Sequence, residues 1–168
     1  ASASVEACGN VTGGLTIGFW QNPNGQALIK EAGPATGTCS LTAVIRAYAP
    51  FEGLSSTATC TQVAKYVTDV IKAANASGAA MNVMLKAQML ATALDVYYST
   101  PTLGGNMIGA PVPIGGVTVD LTWVKAGSGY QNVSGAFGGA TSKTVSQMLS
   151  YAAGQSNVGG SMWYGNVK

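Results

Sequence analysis

From about Ala79 to Tyr98 the chain carries apolar side chains around most of the circumference of a helix: Met81, Val83, Met84, Leu85, Met89, Leu90, Leu94, Val96, Tyr97 and Tyr98. A surface helix keeps a polar face, so a helix that is apolar nearly all round has to sit between other elements. This segment forces a layered, mainly helical architecture with itself as the central member. Its three methionines, Met81, Met84 and Met89, are expected to fill gaps in that core, a commoner role than metal or redox chemistry. Lys86 and Asp95 interrupt the pattern. They lie nine residues apart and cannot pair along the helix, so each is expected to cap or to snorkel.

The elements before it are shorter. Val63, Tyr66, Val67, Val70 and Ile71 recur at helical spacing, with Gln62, Lys65, Asp69 and Lys72 on the other side. That pattern predicts an amphipathic helix to about Ala74, capped by Thr59 or Thr61. Another helix is expected from Ser40 to about Ala49, stopped by Pro50, and a short one from Gly25 to Glu31, ended by Gly33-Pro34. The first 19 residues read as extended, with Leu15 and Ile17 alternating about Thr16 after Gly13-Gly14.

At Ser99-Thr100-Pro101 the character changes. Val117 to Thr122 alternates as a strand, and Gly115-Gly116 suggests a hairpin with the Asn106–Val112 segment. A Gly/Ser-rich loop is expected from Ala126 to Gly139, then a last helix opened by Thr144 and ended by Gly154. The fold class is therefore α+β and mainly helical: four or five helices, a small antiparallel sheet or hairpin, and an extended N-terminal segment over residues 1–17. No internal repeat or linker divides residues 1–168, so a single domain is expected.

Cys8, Cys39 and Cys60 all lie early in the chain, in polar surroundings, and read as one disulfide plus an odd thiol in an exported protein. Cys39 and Cys60 each follow a Thr at an apparent helix start, which favours that pair as the bridge. Cys8 is then left free or links to another subunit. The opening Ala1-Ser2-Ala3-Ser4 has the small-residue texture found just after leader cleavage, consistent with a secreted, extracellular or cell-surface location. Asn10, Asn75 and Asn132 stand in Asn-x-Ser/Thr sequons and are candidate glycosylation acceptors.

The run Leu15-Thr16-Ile17-Gly18-Phe19-Trp20-Gln21-Asn22-Pro23-Asn24-Gly25 carries a G-(F/Y)-W-x-N signature. It resembles a family of uncharacterised secreted or cell-surface bacterial modules, in which a helix similar to Lys86–Asp95 follows. The resemblance extends to Thr144–Tyr164 and so spans most of the chain. It implies an exported surface protein and brings no activity with it. Many members place Lys-Asn-His after the Trp, where this chain has Gln21-Asn22-Pro23. In physical terms Gly18 permits a turn or close approach, Phe19 and Trp20 are apolar anchors, and Asn22 or Asn24 can cap the next helix. A structural role explains this motif without a ligand.

The chain has no histidine, which removes His-based triads and His-based metal sites. Its six acids, Glu6, Glu31, Glu52, Asp69, Asp95 and Asp120, sit in no catalytic motif. No enzymatic activity, no cofactor and no metal are expected. The eight basic residues are scattered, so nucleic acid is not an expected partner, and no apolar run reaches the roughly 20 residues of a membrane span. A weakly charged surface has little repulsion between copies. Two functions fit: a self-assembling subunit of an extracellular filament or surface layer, forming a homo-oligomer or polymer, or a monomeric adhesive or carbohydrate-binding module. Trp123, Tyr130, Trp163 and Tyr164 are the candidate ligand or subunit contacts, with a glycan as the candidate small partner.

Overall fold

A computed structural model describes residues 14–104 and 107–166. Its α-helices are α1 (Ile17–Gln21), α2 (Pro23–Lys30), α3 (Ser40–Arg46), α4 (Cys60–Asn75), α5 (Met81–Ser99) and α6 (Val145–Gly154). Four short strands, β1 (Thr118–Asp120), β2 (Val124–Ala126), β3 (Gly129–Gln131) and β4 (Ser142–Thr144), form two separate antiparallel ladders. The fold is mainly helical α+β, as the hydrophobic pattern required.

Helix α5 is the axis. It packs against α1, α3, α4 and α6, and from Ala87 onward Ala87, Leu90, Ala91, Ala93, Leu94, Tyr97 and Tyr98 are all buried. Met89 is buried with them, but Met81 is 86% exposed, because it is the first residue of the helix and projects beyond the bundle. The gap-filling role expected of Met81 is therefore not its role. Helix α4 buries Val63, Val67, Val70 and Ile71 against this axis. It begins in a capping box: the Thr59 hydroxyl accepts from Gln62 N–H, and the Gln62 side chain accepts from Thr59 N–H. Thr144 and Gln147 repeat the device at α6.

The bridge joins Cys39 to Cys60, with Cα atoms 4.7 Å apart. Both cysteines are buried, and the bridge ties the start of α3 to the start of α4. Backbone reinforces it, since Cys39 N–H donates to Ala58 C=O at 2.8 Å and the Thr42 hydroxyl donates to the same carbonyl at 3.0 Å.

Three expectations fail locally. Leu15 and Ile17 do not continue a strand; Ile17 opens α1, and this helical turn is what aims Trp20 into the core. The remainder of the extended segment, with Cys8 and Asn10, lies outside the described residues. Gly115-Gly116 does not turn a hairpin either. Those residues form a 3-10 turn over Ile114–Gly116, where a Cβ on Gly115 would meet Ser146 Oγ at 2.4 Å and Val96 Cγ1 at 3.0 Å. Strand β1 pairs instead with β4, in the register Thr118–Thr144, Val119–Lys143 and Asp120–Ser142. Finally, the segment from Ala126 to Gly139 is not all loop. Gly127, in the left-handed region at φ +62°, turns β2 into β3, and a 3-10 turn follows over Ser134–Phe137.

Close approach in the N-terminal motif falls to Gly25, not Gly18. A Cβ at Gly25 would lie 2.3 Å from Phe19 C=O and 2.8 Å from Trp20 Cα, whereas one at Gly18 would meet only Thr16 Oγ1 at 3.5 Å. Helix propensity favours Ala over Gly by about 1 kcal/mol, yet at Gly25 the crowded backbone has to move, which typically costs about 1–3 kcal/mol. Gly25→Ala is thus expected to lower stability and Gly18→Ala to leave it unchanged or raise it, as read by urea denaturation. Replacing Cys39 and Cys60 together by Ala should cost about 3 kcal/mol in the same assay, the chain-entropy value for a loop of this size; an unchanged midpoint would contradict the stapling role.

Candidate functional site

The N-terminal motif closes on Asp95. Trp20 is fully buried; its indole Nε1–H donates to Asp95 Oδ1 at 3.0 Å, and its ring stacks on Tyr98 with centroids 5.3 Å apart. Phe19 meets Trp20 edge-on at 5.1 Å. Tyr98 in turn donates to Leu28 C=O at 2.9 Å, which pins α2 to α5. Asn22 is the residue that caps α2, its Oδ1 accepting from Asn24 N–H and Gly25 N–H. Asp95 neither caps nor snorkels. It receives a second hydrogen bond from the Leu15 backbone and lies against Gly14, so it fixes the entry of the chain into the fold. Trp20, Asn22 and Gly25 of the motif are all used internally, which is the structural role expected of it.

Burial pushes the Asp95 carboxyl up to about 7, against the lowering pull of the Leu15 and Trp20 hydrogen bonds. The folded state therefore holds this proton more tightly than the unfolded chain. Stability from that source is complete below the ordinary value of 3.8 and is lost as pH rises through about 7.

The outward-facing chemistry lies elsewhere, on the β2–β3 ribbon. Trp123 is 65% exposed and Tyr130 53% exposed, and their rings stack with centroids 4.6 Å apart and planes 13° from parallel. Large aromatics in solvent are unusual, because each carries much apolar area that burial would remove from water. Leu121 holds the base of the ribbon. It is fully buried, donates its N–H to Thr141 C=O at 2.8 Å and accepts from Val133 N–H at 2.7 Å. The Asp120 carboxylate takes both the N–H and the hydroxyl of Thr122, which fixes the turn into the ribbon and draws the carboxyl below its usual range. Among the described residues each ladder has only two strands, so every strand keeps one edge without a ladder partner there.

Of the four aromatics expected at a contact surface, the structure brings Trp123 and Tyr130 together and leaves the others apart from them. Trp163 is 2% exposed, with its Nε1–H donating to Gly160 C=O at 3.1 Å, so it has no ring face to offer. The sequence around it, Gly159-Gly160-Ser161-Met162, shows no periodicity that would mark it as core. Tyr164 is half-buried against the same core at φ +49°, and burial raises its phenol. Asn75, the last residue of α4, and Asn132 are exposed, so both remaining sequons are on the surface. No family model, curated protein or solved structure matches the chain.

Between pH 5 and 8 the Asp95 shift should make the folded state less stable by on the order of 2–3 kcal/mol as pH rises. The check is the urea midpoint at several pH values. Asp95→Asn should flatten that slope, since an amide does not titrate in this range. An equal slope in wild type and variant would contradict the assignment.

Proposed function

We propose that this chain is a non-catalytic, extracellular structural module that self-associates through the β2–β3 ribbon. The observation that carries the reading is the stacked, exposed Trp123–Tyr130 pair on a ribbon whose strand edges are open. Aromatic side chains at the centre of a contact supply most of its energy, and open edges offer backbone groups to a neighbour. The scattered charge and net charge of +2 leave little repulsion to oppose such packing. The Cys39–Cys60 bridge supports an oxidising compartment. A polymer requires a heterologous contact, so the ribbon would pack on a different face of the next copy.

In one version of this assembly the N-terminal segment of one copy adds a strand to the open edge of β1 in the next. The donor residues lie outside the described region. A truncation that tests it has to stop before Gly14, because Leu15 is hydrogen-bonded to Asp95 and Gly14 lies against it, so that their loss would damage the fold itself.

A second reading rests on the same pair. The outer indole face of Trp123 is wide enough to stack on a sugar ring, which makes a glycan the alternative partner. Sedimentation velocity over a range of concentrations separates the two. Under the assembly reading, Trp123→Ser weakens association by at least about tenfold, the effect of removing a central aromatic anchor. Equal association by wild type and variant would overturn it. Glycan binding that Trp123→Ser abolishes, in a chain that stays monomeric throughout, would establish the second reading in its place.

A further inference from the structure

A cavity of about 380 Å³ opens between α4, α5 and the loop before Trp163. Tyr66, Val70, Ala73 and Val83 give it apolar walls, and Lys86 with Gly160 closes one side. Its size is at the low end for small-molecule sites, which run from about 300 Å³ and pair apolar walls with a few placed polar groups. The cationic group here is the Lys86 ammonium. It donates to Gly159 C=O at 2.7 Å and lies 5.9 Å from the centre of the Tyr66 ring. An ammonium has three donors, and one is used by that carbonyl.

Lys86 is the one cation that lines the cavity, and no acid pairs with it. Among the described residues the only ion pair is Lys65 with Asp69, on the exposed face of α4. Lys86 is half-buried without an acid, facing a neutral carbonyl and an aromatic ring. Burial lowers its affinity for the proton, as expected where water has been displaced and nothing negative replaces it. A bound anion would supply the missing charge in a partly desolvated place, where ion pairing is stronger than in water. Asp69 also lines the cavity, its carboxylate engaged by Lys65. Asn82 donates to Ser161 C=O at 3.3 Å, which draws the loop that lines the cavity toward the start of α5.

We propose that this cavity binds a small organic monoanion, a free carboxylic acid with a short apolar stem, its carboxylate on Lys86 and its stem against Val70 and Val83. The site is independent of the ribbon and of any assembly made through it. By contrast, the groove between α5 and α6, lined by Leu85, Met89, Phe137 and Met148, has no charged anchor among its lining residues.

The test is a titration of the folded chain with hexanoate, hexanol and acetate, followed by the amide resonances of Lys86, Gly159 and Gly160. Hexanoate should shift them saturably, with hexanol and acetate each at least about tenfold weaker, since each lacks one half of the recognition. Lys86→Met should remove the preference for acid over alcohol. Ala73→Phe, placed on the exposed face of α4 and filling the cavity, should block hexanoate without disturbing the core. The second variant decides the matter if the first does not fold. No saturable shift with hexanoate, equal binding of hexanol, or unchanged binding in Ala73→Phe would each overturn the proposal.

Discussion

The buried carboxylate of Asp95 is the point on which the N-terminal part of this fold hangs. It is the only acidic side chain buried among the described residues, and burying one costs heavily unless its oxygens are bonded. Two donors meet that need, the Trp20 indole and the Leu15 backbone. To bring both there the chain has to turn into α1 at Ile17 and cross back as α2, so tightly that only a glycine fits at position 25. Tyr98, one turn beyond Asp95, then stacks on Trp20 and binds Leu28. A single polar anchor on an apolar helix thereby fixes the orientation of two preceding helices. An apolar residue at position 95 would allow collapse but would not specify which way Trp20 enters.

The same economy explains why the candidate contact surface lies in the C-terminal half. Trp20 and Trp163 are both consumed by the core, one through Asp95 and one through Gly160. Trp123, the remaining one of the three tryptophans, is left in solvent. Its ribbon is held at the base by Leu121 and by the Asp120–Thr122 turn, so the pair it forms with Tyr130 stands on a supported platform. Rigid aromatic area costs little conformational entropy to use, which is the property a contact surface needs.

How much of this was legible beforehand follows from the range of each interaction. Helices α4 and α5 are clear from spacing alone, which leaves the cap of α4 open between Thr59 and Thr61; the structure gives it to Thr59. The Cys39–Cys60 pairing was legible because both cysteines stand at helix starts. The pairing of β1 with β4 was not, since Ser142-Lys143-Thr144 is a polar triplet with no alternation and its partner is remote in sequence. The β2–β3 ribbon was missed for a related reason: three-residue strands are too short to show a period. The role of Asp95 depended on a contact with Trp20 that no local pattern encodes, and its place on an apolar helix was the sole hint. Trp163 and Trp123 have similarly uninformative neighbours, yet one is buried and the other exposed.

The central claim is that a weakly charged, disulfide-stapled bundle presents the aromatic ribbon in order to meet other copies of itself. Negative-stain electron microscopy of the full chain, purified without reducing agent, tests this most directly. Regular filaments or sheets with a constant repeat between subunits are expected. A field of dispersed particles of monomer size, unchanged as concentration rises, would contradict it.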